Sequence, residues 1–313
     1  MTALPQQGLT RRQLLRRGAA PLLIAALPSI TIAQTPEVAR MNIRPIPSSG
    51  EALPVIGCGT WLAFDRRPGS AEYQRLAGVL DALFAAGGTV IDSSPMYGRA
   101  EQTTGELLTA SKQRDQAFLA TKVWTSGREA GIAQMEQSFA RLATERIDLM
   151  QVHNLVDWRT HLATLRGWKD KGRVRYLGIT HYTASAYAEV EAVLRAEKLD
   201  FLQINYSLDA REAEQRLLPL AAERGVAVIV NMPFGGGGLL RKLRDQPLPG
   251  WAAEIGCASW AQLLLKFVLS HPAVTCTIPG TSRPEHMAEN AAAGAGPMPD
   301  AAFWQRHAAS LPI

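Results

Sequence analysis

The sequence predicts an α/β chain closed into a (β/α)8 TIM barrel, and three observations carry that expectation. Eight short apolar runs recur along the chain, amphipathic stretches separate them, and most runs start about 25–35 residues apart, the length of one strand-and-helix unit. In order, the runs are residues 55–59, 89–92, 118–122, 147–153, 174–179, 201–205, 226–230 and 273–278. Most are near-continuously apolar rather than alternating, as strands are when helices cover the sheet. Among the separating segments, residues 184–195 and 212–224 place apolar side chains at helical spacing, and the second stops at Gly225, a helix-ending signal. Eight such units imply closure, which makes the first and eighth strands neighbours. The longest break, residues 234–257, holds the glycine run 235–238 and then Pro247, Pro249 and Gly250, and is expected to be a lid or binding element. A doubly wound sheet is disfavoured. Gly57-Cys58-Gly59 lacks the third glycine of a dinucleotide fingerprint, and the run 235–238 lacks the Lys-Ser/Thr pair of a phosphate loop.

Composition agrees with one globular domain. The chain has 313 residues, 47% hydrophobic and 19% charged, which excludes disordered, collagen-like and coiled-coil classes. The net charge of +5 is concentrated at the N-terminus, where residues 1–33 hold Arg11, Arg12, Arg16 and Arg17 and no acid. Of 33 Lys and Arg, the remaining 29 face 28 Asp and Glu, so the charge gives no reason to expect a nucleic-acid partner. Thr10-Arg11-Arg12-Gln13-Leu14-Leu15-Arg16 leads into a mostly apolar, acid-free stretch, residues 18–32. That stretch is shorter than the about 20 residues a membrane span needs, and Pro21 and Pro28 interrupt it. With the small residues Thr31-Ile32-Ala33, the segment resembles a twin-arginine signal. The resemblance implies export by the twin-arginine (Tat) machinery after folding, often with a cofactor already bound, no stable membrane anchor, and a periplasmic mature domain over residues 34–313. The three cysteines, Cys58, Cys257 and Cys276, form no CxxC and no disulfide framework. Cys58 and Cys276 fall on the neighbouring first and eighth strands and are expected as buried thiols, a bridge between them being the alternative.

Chemistry in such barrels is carried where strands end. Asp92 ends the second run, with Tyr97 five residues on; Lys122 ends the third and His153 the fourth. Alone, each has an ordinary explanation: a turn cap, a surface aromatic, a snorkelling lysine, a core histidine. At corresponding ends of consecutive strands they form an acid–base set. A tyrosine titrates near 10 and donates poorly at neutral pH, while an adjacent ammonium favours its phenolate. A carboxylate keeps that ammonium charged and in place, and an imidazole N–H can bond an oxygen on which negative charge develops. The set suits protonation of a carbonyl oxygen as hydride reaches the carbon, and hydride requires a cofactor.

From about Pro54 to Asn290 the sequence resembles the aldo-keto reductase superfamily. The resemblance implies a barrel that binds NADPH, with NADH as the alternative, and reduces a small carbonyl substrate. Its Asp-Tyr-Lys-His tetrad falls on Asp92, Tyr97, Lys122 and His153. The first run with Thr60 and Trp61, the fifth ending at Thr180, and residues 278–290 look like the family's corresponding segments. The implied cofactor-binding residues are Thr60, Thr180, His181, Gln203, Asn231, Pro233, Gly280, Thr281, Ser282, Arg283, His286, Glu289 and Asn290. Gln203 matches the residue that bonds the nicotinamide carboxamide. Trp61, Trp124 and Asn154 are the implied substrate pocket, with Tyr206 a further candidate aromatic wall. Three positions depart from the family pattern. His181 replaces an Asn, Asn231 replaces a stacking ring worth about 1 kcal/mol, and Gly280 and His286 thin the basic clamp on a 2′-phosphate. Two other readings fit parts of the sequence. His153, His181 and Asp92 could ligate a metal for hydrolase or lyase chemistry, although no His-x-His pair is present. The loss of a ring at Asn231 suits a binding protein with little turnover.

Overall fold

In the computed structural model, which describes residues 2–3 and 40–313, the first element among the described residues is a hairpin that none of the eight apolar runs includes. β1 (Ile43–Pro45) pairs antiparallel with β2 (Ala52–Pro54). Ile46 and Leu53 of this hairpin enter the same buried cluster as the strand residues Val90, Phe118, Leu149 and Phe201, so it stops the N-terminal end of the barrel. Apart from residues 2–3, the segment expected to be an export signal lies outside the described residues.

Eight parallel strands follow: β3 (Cys58–Gly59), β4 (Val90–Asp92), β5 (Phe118–Val123), β6 (Ile147–His153), β7 (Val174–Thr180), β8 (Phe201–Asn205), β9 (Ala227–Asn231) and β10 (Val274–Thr277). They are hydrogen-bonded in sequence order. Parallel bridges Ile56↔Thr277 and Gly59↔Gly280 join the two ends. Gly57 N–H donates to Thr277 O and Thr277 N–H to Val55 O, both at 2.9 Å. This seam needs glycine: a Cβ on Gly59 would lie 2.7 Å from Ile278 O. Helices α1 (Ala71–Ala85) to α6 (Leu217–Glu223) follow β3 to β8 in turn, and α9 (Pro284–Ala292) follows β10. Cys58 and Cys276 are buried free thiols on the joined strands. Burial, and then Asp92, push the Cys58 thiol up to about 12.

Two expected elements differ in detail. Residues 212–224 form a 3-10 turn (Glu212–Glu214) and then α6, because Pro219 is tolerated only in a helix's first turn. Residues 234–257 are more ordered than a plain loop. Gly235, Gly236 and Gly237 have φ of 56°, 63° and 86°, conformations that glycine enters without strain. They lead into α7 (Gly238–Leu243) and then a 3-10 turn (Gly250–Ile255). The glycine run is thus spent on a tight reversal after β9.

The site is positioned by the two-residue period of the strands. Val90, Phe118, Ala120, Leu149, Tyr176, Phe201, Ala227 and Ile229 face the closed interior and form its apolar floor. Continuing in steps of two toward the C-terminal ends gives Asp92, Lys122, Gln151 then His153, Thr180, Gln203 and Asn231. Apolar at the bottom and polar at the top, the interior becomes a reactive surface only at one end. Gly178, on the β7 track, makes room: a Cβ there would lie 2.6 Å from Phe201 O.

Candidate active site

Asp92 is the centre of the polar layer. Its Oδ2 accepts from Lys122 Nζ at 2.5 Å, and its Oδ1 accepts from Gln203 Nε2 at 2.8 Å and Gln151 Nε2 at 3.2 Å. Lys122 also donates to Ser93 O at 2.7 Å and is fully buried. Burial alone pulls a lysine down, but Asp92 and then Tyr97 outweigh it and hold Lys122 above its ordinary value. The ammonium lies 5.1 Å from the centre of the Tyr97 ring. That ring meets His153 edge-on at 6.1 Å between centroids. The four groups therefore converge at the C-terminal end of the barrel.

From the sequence, the Lys122 ammonium is expected to lower the Tyr97 pKa. Its pull is downward, but burial is the larger influence and Asp92 adds to it, so the phenol stands above its ordinary value. Proximity could be read from strand ends; the degree of burial could not. His153 is driven down to about 3, first by burial and then by Lys122 and His181, so its ring is neutral at physiological pH. The unfolded chain takes up a proton near 6.5 that the folded chain refuses. Stability carried by neutral His153 is thus complete above about pH 6.5 and lost as pH falls toward 3, by about 1.4 kcal/mol per unit. Denaturant titrations from pH 7 to 4 should show this slope in the wild type and a shallower one in His153→Gln. Equal slopes would mean that His153 does not resist protonation.

The remaining predicted residues divide into several groups. Thr60 is buried; its Oγ1 donates to Asp92 O and can accept from Ser93 Oγ, both at 2.9 Å, tying β3 to β4. Gln203, expected to be free for a ligand amide, donates to Asp92, and its Oε1 accepts from Thr180 Oγ1 and Asn231 Nδ2, each at 3.4 Å. Asn231 Nδ2 also donates to His181 O at 3.2 Å, which fixes the orientation of the amide and leaves Oδ1 buried without a partner. Pro233 follows at once, after Met232 in a left-handed conformation (φ 51°). His181 Nδ1 accepts from the N–H groups of Tyr182 and Thr183, leaving Nε2 as its donor when the ring is neutral. Asn154, at φ 52°, likewise has an Oδ1 that is buried and unpaired. On β10's far side, Gly280, Arg283 and His286 are exposed, Thr281, Ser282 and Glu289 half-buried, and Asn290 buried. The Arg283 guanidinium is paired with Glu285 at 2.5 Å, which weakens it further as a free anion clamp. Tyr206 is a correction. It is buried, donates to Glu214 at 2.5 Å and packs on Phe267, because it points away from the interior track. Among the described residues, no group of three or more His, Cys, Asp and Glu side chains is arranged to hold a metal ion. No helix among them is long and apolar enough to cross a membrane.

The rim is apolar. Trp61, Leu62, Met96, Trp124, Tyr182 and Met232 are all exposed and all follow strand ends at the tetrad's end of the barrel. Trp124, 6.5 Å from the His153 ring, is held firmly. Its backbone N–H donates to Gln134 Oε1 at 2.5 Å and its backbone carbonyl accepts from Gln134 Nε2 at 3.2 Å, while His161 bonds Thr125 O. Of the rim, Trp61 and Trp124 were expected from the sequence; Leu62, Met96, Tyr182 and Met232 were not, nor were Gln151 and Gln134. Gln151 was legible, two residues before His153 on the same face; Gln134 was not, since a helical glutamine carries no sign of what it reaches.

Comparison with known proteins finds a matching family profile, related sequences and similar folds. The sequence profile of the Aldo/keto reductase family matches residues 55–308. The chain is 29% identical over 260 residues to methylglyoxal reductase YeaE of Escherichia coli, covering 80% of this chain and 89% of that one. Two crystal structures of aldo/keto reductases from Klebsiella pneumoniae superpose well. One, in complex with NADPH, has a TM-score of 0.72 at 26% identity, covering 86% of this chain and 94% of the other. The second, in complex with NADP and acetate, has a TM-score of 0.70 at 27% identity, covering 82% and 91%.

Proposed function

From the premise that the chain belongs to the aldo/keto reductase family, we propose that it reduces an aldehyde or ketone to the alcohol with NADPH through the groups gathered around Asp92. The single observation that carries this reading is the convergence of Asp92, Lys122, Tyr97 and His153 at one end of the barrel. The residues present fit a nicotinamide dinucleotide. Asn231 Oδ1 is a buried acceptor that lacks a donor, and the exposed start of α9 supplies backbone N–H groups for an anionic end. His181 and Asn231 would hold the nicotinamide, with Gln203 and Thr180 bonded behind Asn231, and residues 280–290 would hold the adenosine side. When bound, the reduced nicotinamide supplies the hydride. Tyr97 gives its proton to the carbonyl oxygen, Lys122 stabilises the phenolate left behind, and Asp92 keeps Lys122 charged and in place. The neutral His153 donates an N–H to the same oxygen as charge gathers there.

The exposed Trp61, Leu62, Met96 and Trp124 favour a carbonyl compound with an apolar or aromatic body. Titrating the purified protein with NADPH and NADH by fluorescence, then following nicotinamide oxidation with aliphatic, aromatic and sugar-derived aldehydes, tests the reading. Stoichiometric NADPH binding and turnover favouring aromatic aldehydes are expected; no binding of either nucleotide would overturn it.

We also propose that residues 1–33 direct export through the twin-arginine route to the periplasm, supported by Arg11-Arg12 and the acid-free stretch behind them. Replacing both arginines by lysine should trap the protein in the cytoplasm on cell fractionation. Unchanged periplasmic recovery would remove the signal from the account.

A further inference from the structure

We propose that Ser94 is a positioning residue that fixes the tautomer of His153 and, through its backbone, holds Tyr97 in register with it. The catalytic meaning of this proposal rests on the carbonyl-reductase reading above; the tautomer itself does not. Ser94 Oγ lies 3.2 Å from His153 Nδ1, with the serine fully buried and the histidine 6% exposed. The N–H of Met96 is directed at the same oxygen at 3.5 Å, so the hydroxyl hydrogen is free to turn toward the ring. A neutral imidazole has one donor and one acceptor nitrogen. If Nδ1 accepts from Ser94, Nε2 carries the hydrogen. Among the described residues Nε2 has no hydrogen-bond partner, so it is the ring's uncommitted donor. The opposite tautomer would present a lone pair to a carbonyl oxygen and repel the charge that forms there.

The backbone of the same residue acts on Tyr97. The Tyr97 N–H donates to Ser94 O at 3.0 Å, closing the turn on which the phenol is carried. Proton donor and oxygen-polarising group thus hang from a single residue, whereas Lys122 is held independently by Asp92 and Ser93 O. An ordinary turn serine would need only the backbone bond. The contact of its hydroxyl with a buried ring nitrogen is what distinguishes Ser94.

Nitrogen NMR of the full protein labelled at its histidines tests this, with His153→Gln used to identify the resonance. The wild type should show an unprotonated Nδ1 and a protonated Nε2. Ser94→Ala should show mixed tautomers, and Ser94→Thr, which restores a hydroxyl, should return the wild-type pattern. In kinetics, Ser94→Ala should lose about tenfold in kcat, the scale of one hydrogen bond, with little change in NADPH affinity or carbonyl KM. A protonated Nδ1 in the wild type, or Ser94→Ala with unchanged tautomer and kcat, would overturn the proposal. Should the alanine variant fail to fold, the wild-type spectrum alone decides. A correct tautomer in a protein that reduces no carbonyl would instead sink the reductase reading and leave the tautomer standing.

Discussion

Tyr97→Phe should lower carbonyl reduction by about 10²- to 10⁴-fold in kcat, the usual worth of a positioned proton donor, while leaving NADPH affinity within about twofold of the wild type. The substitution is a clean one here. Phenylalanine keeps the ring that meets His153 edge-on at 6.1 Å and that lies 5.1 Å from the Lys122 ammonium. Only the hydroxyl goes. Because burial holds the phenol above its ordinary pKa, Tyr97 is fully protonated near neutral pH and so is ready to donate. The difficulty lies in what remains after donation, a buried phenolate, and Lys122 is placed to stabilise it. Single-turnover mixing of NADPH-loaded enzyme with an aromatic aldehyde separates this step from product release. Unaltered turnover in the variant would take Tyr97 out of the mechanism.

The barrel was legible because its strands are buried on both faces and read as apolar runs. Residues 147–153 were expected as a strand, and β6 has those bounds. The hairpin of β1 and β2 was not, because Pro45-Ile46-Pro47-Ser48-Ser49-Gly50 reads as linker and only Ile46 and Leu53 face the interior floor. The polar layer could be read because a charged residue that closes an apolar run is conspicuous. What each residue does with its hydrogen bonds was not accessible. Gln203 donating to Asp92, Asn231 anchored to His181 O, and Ser94 against His153 all depend on distances across the barrel interior, and a sequence records neighbours along the chain only. The net direction of the Tyr97 shift was hidden for the same reason, since it balances burial against charge.

Lys122→Met should be the most destabilising single substitution at the site. It leaves Asp92, 2% exposed, without its cation, and breaking a buried pair from one side costs about 3–5 kcal/mol. For a chain of this size that corresponds to a fall in Tm of roughly 10 °C. Two amides still donate to Asp92 Oδ1, but Oδ2 is left with neither proton nor partner. Adding Asp92→Asn removes the stranded charge and should recover most of the lost stability, although neither protein should reduce carbonyls at an appreciable rate. Denaturant unfolding of the wild type, both single variants and the double variant closes the cycle. A double variant no more stable than Lys122→Met would mean that the lysine stem, rather than the ion pair, holds this end of the barrel together.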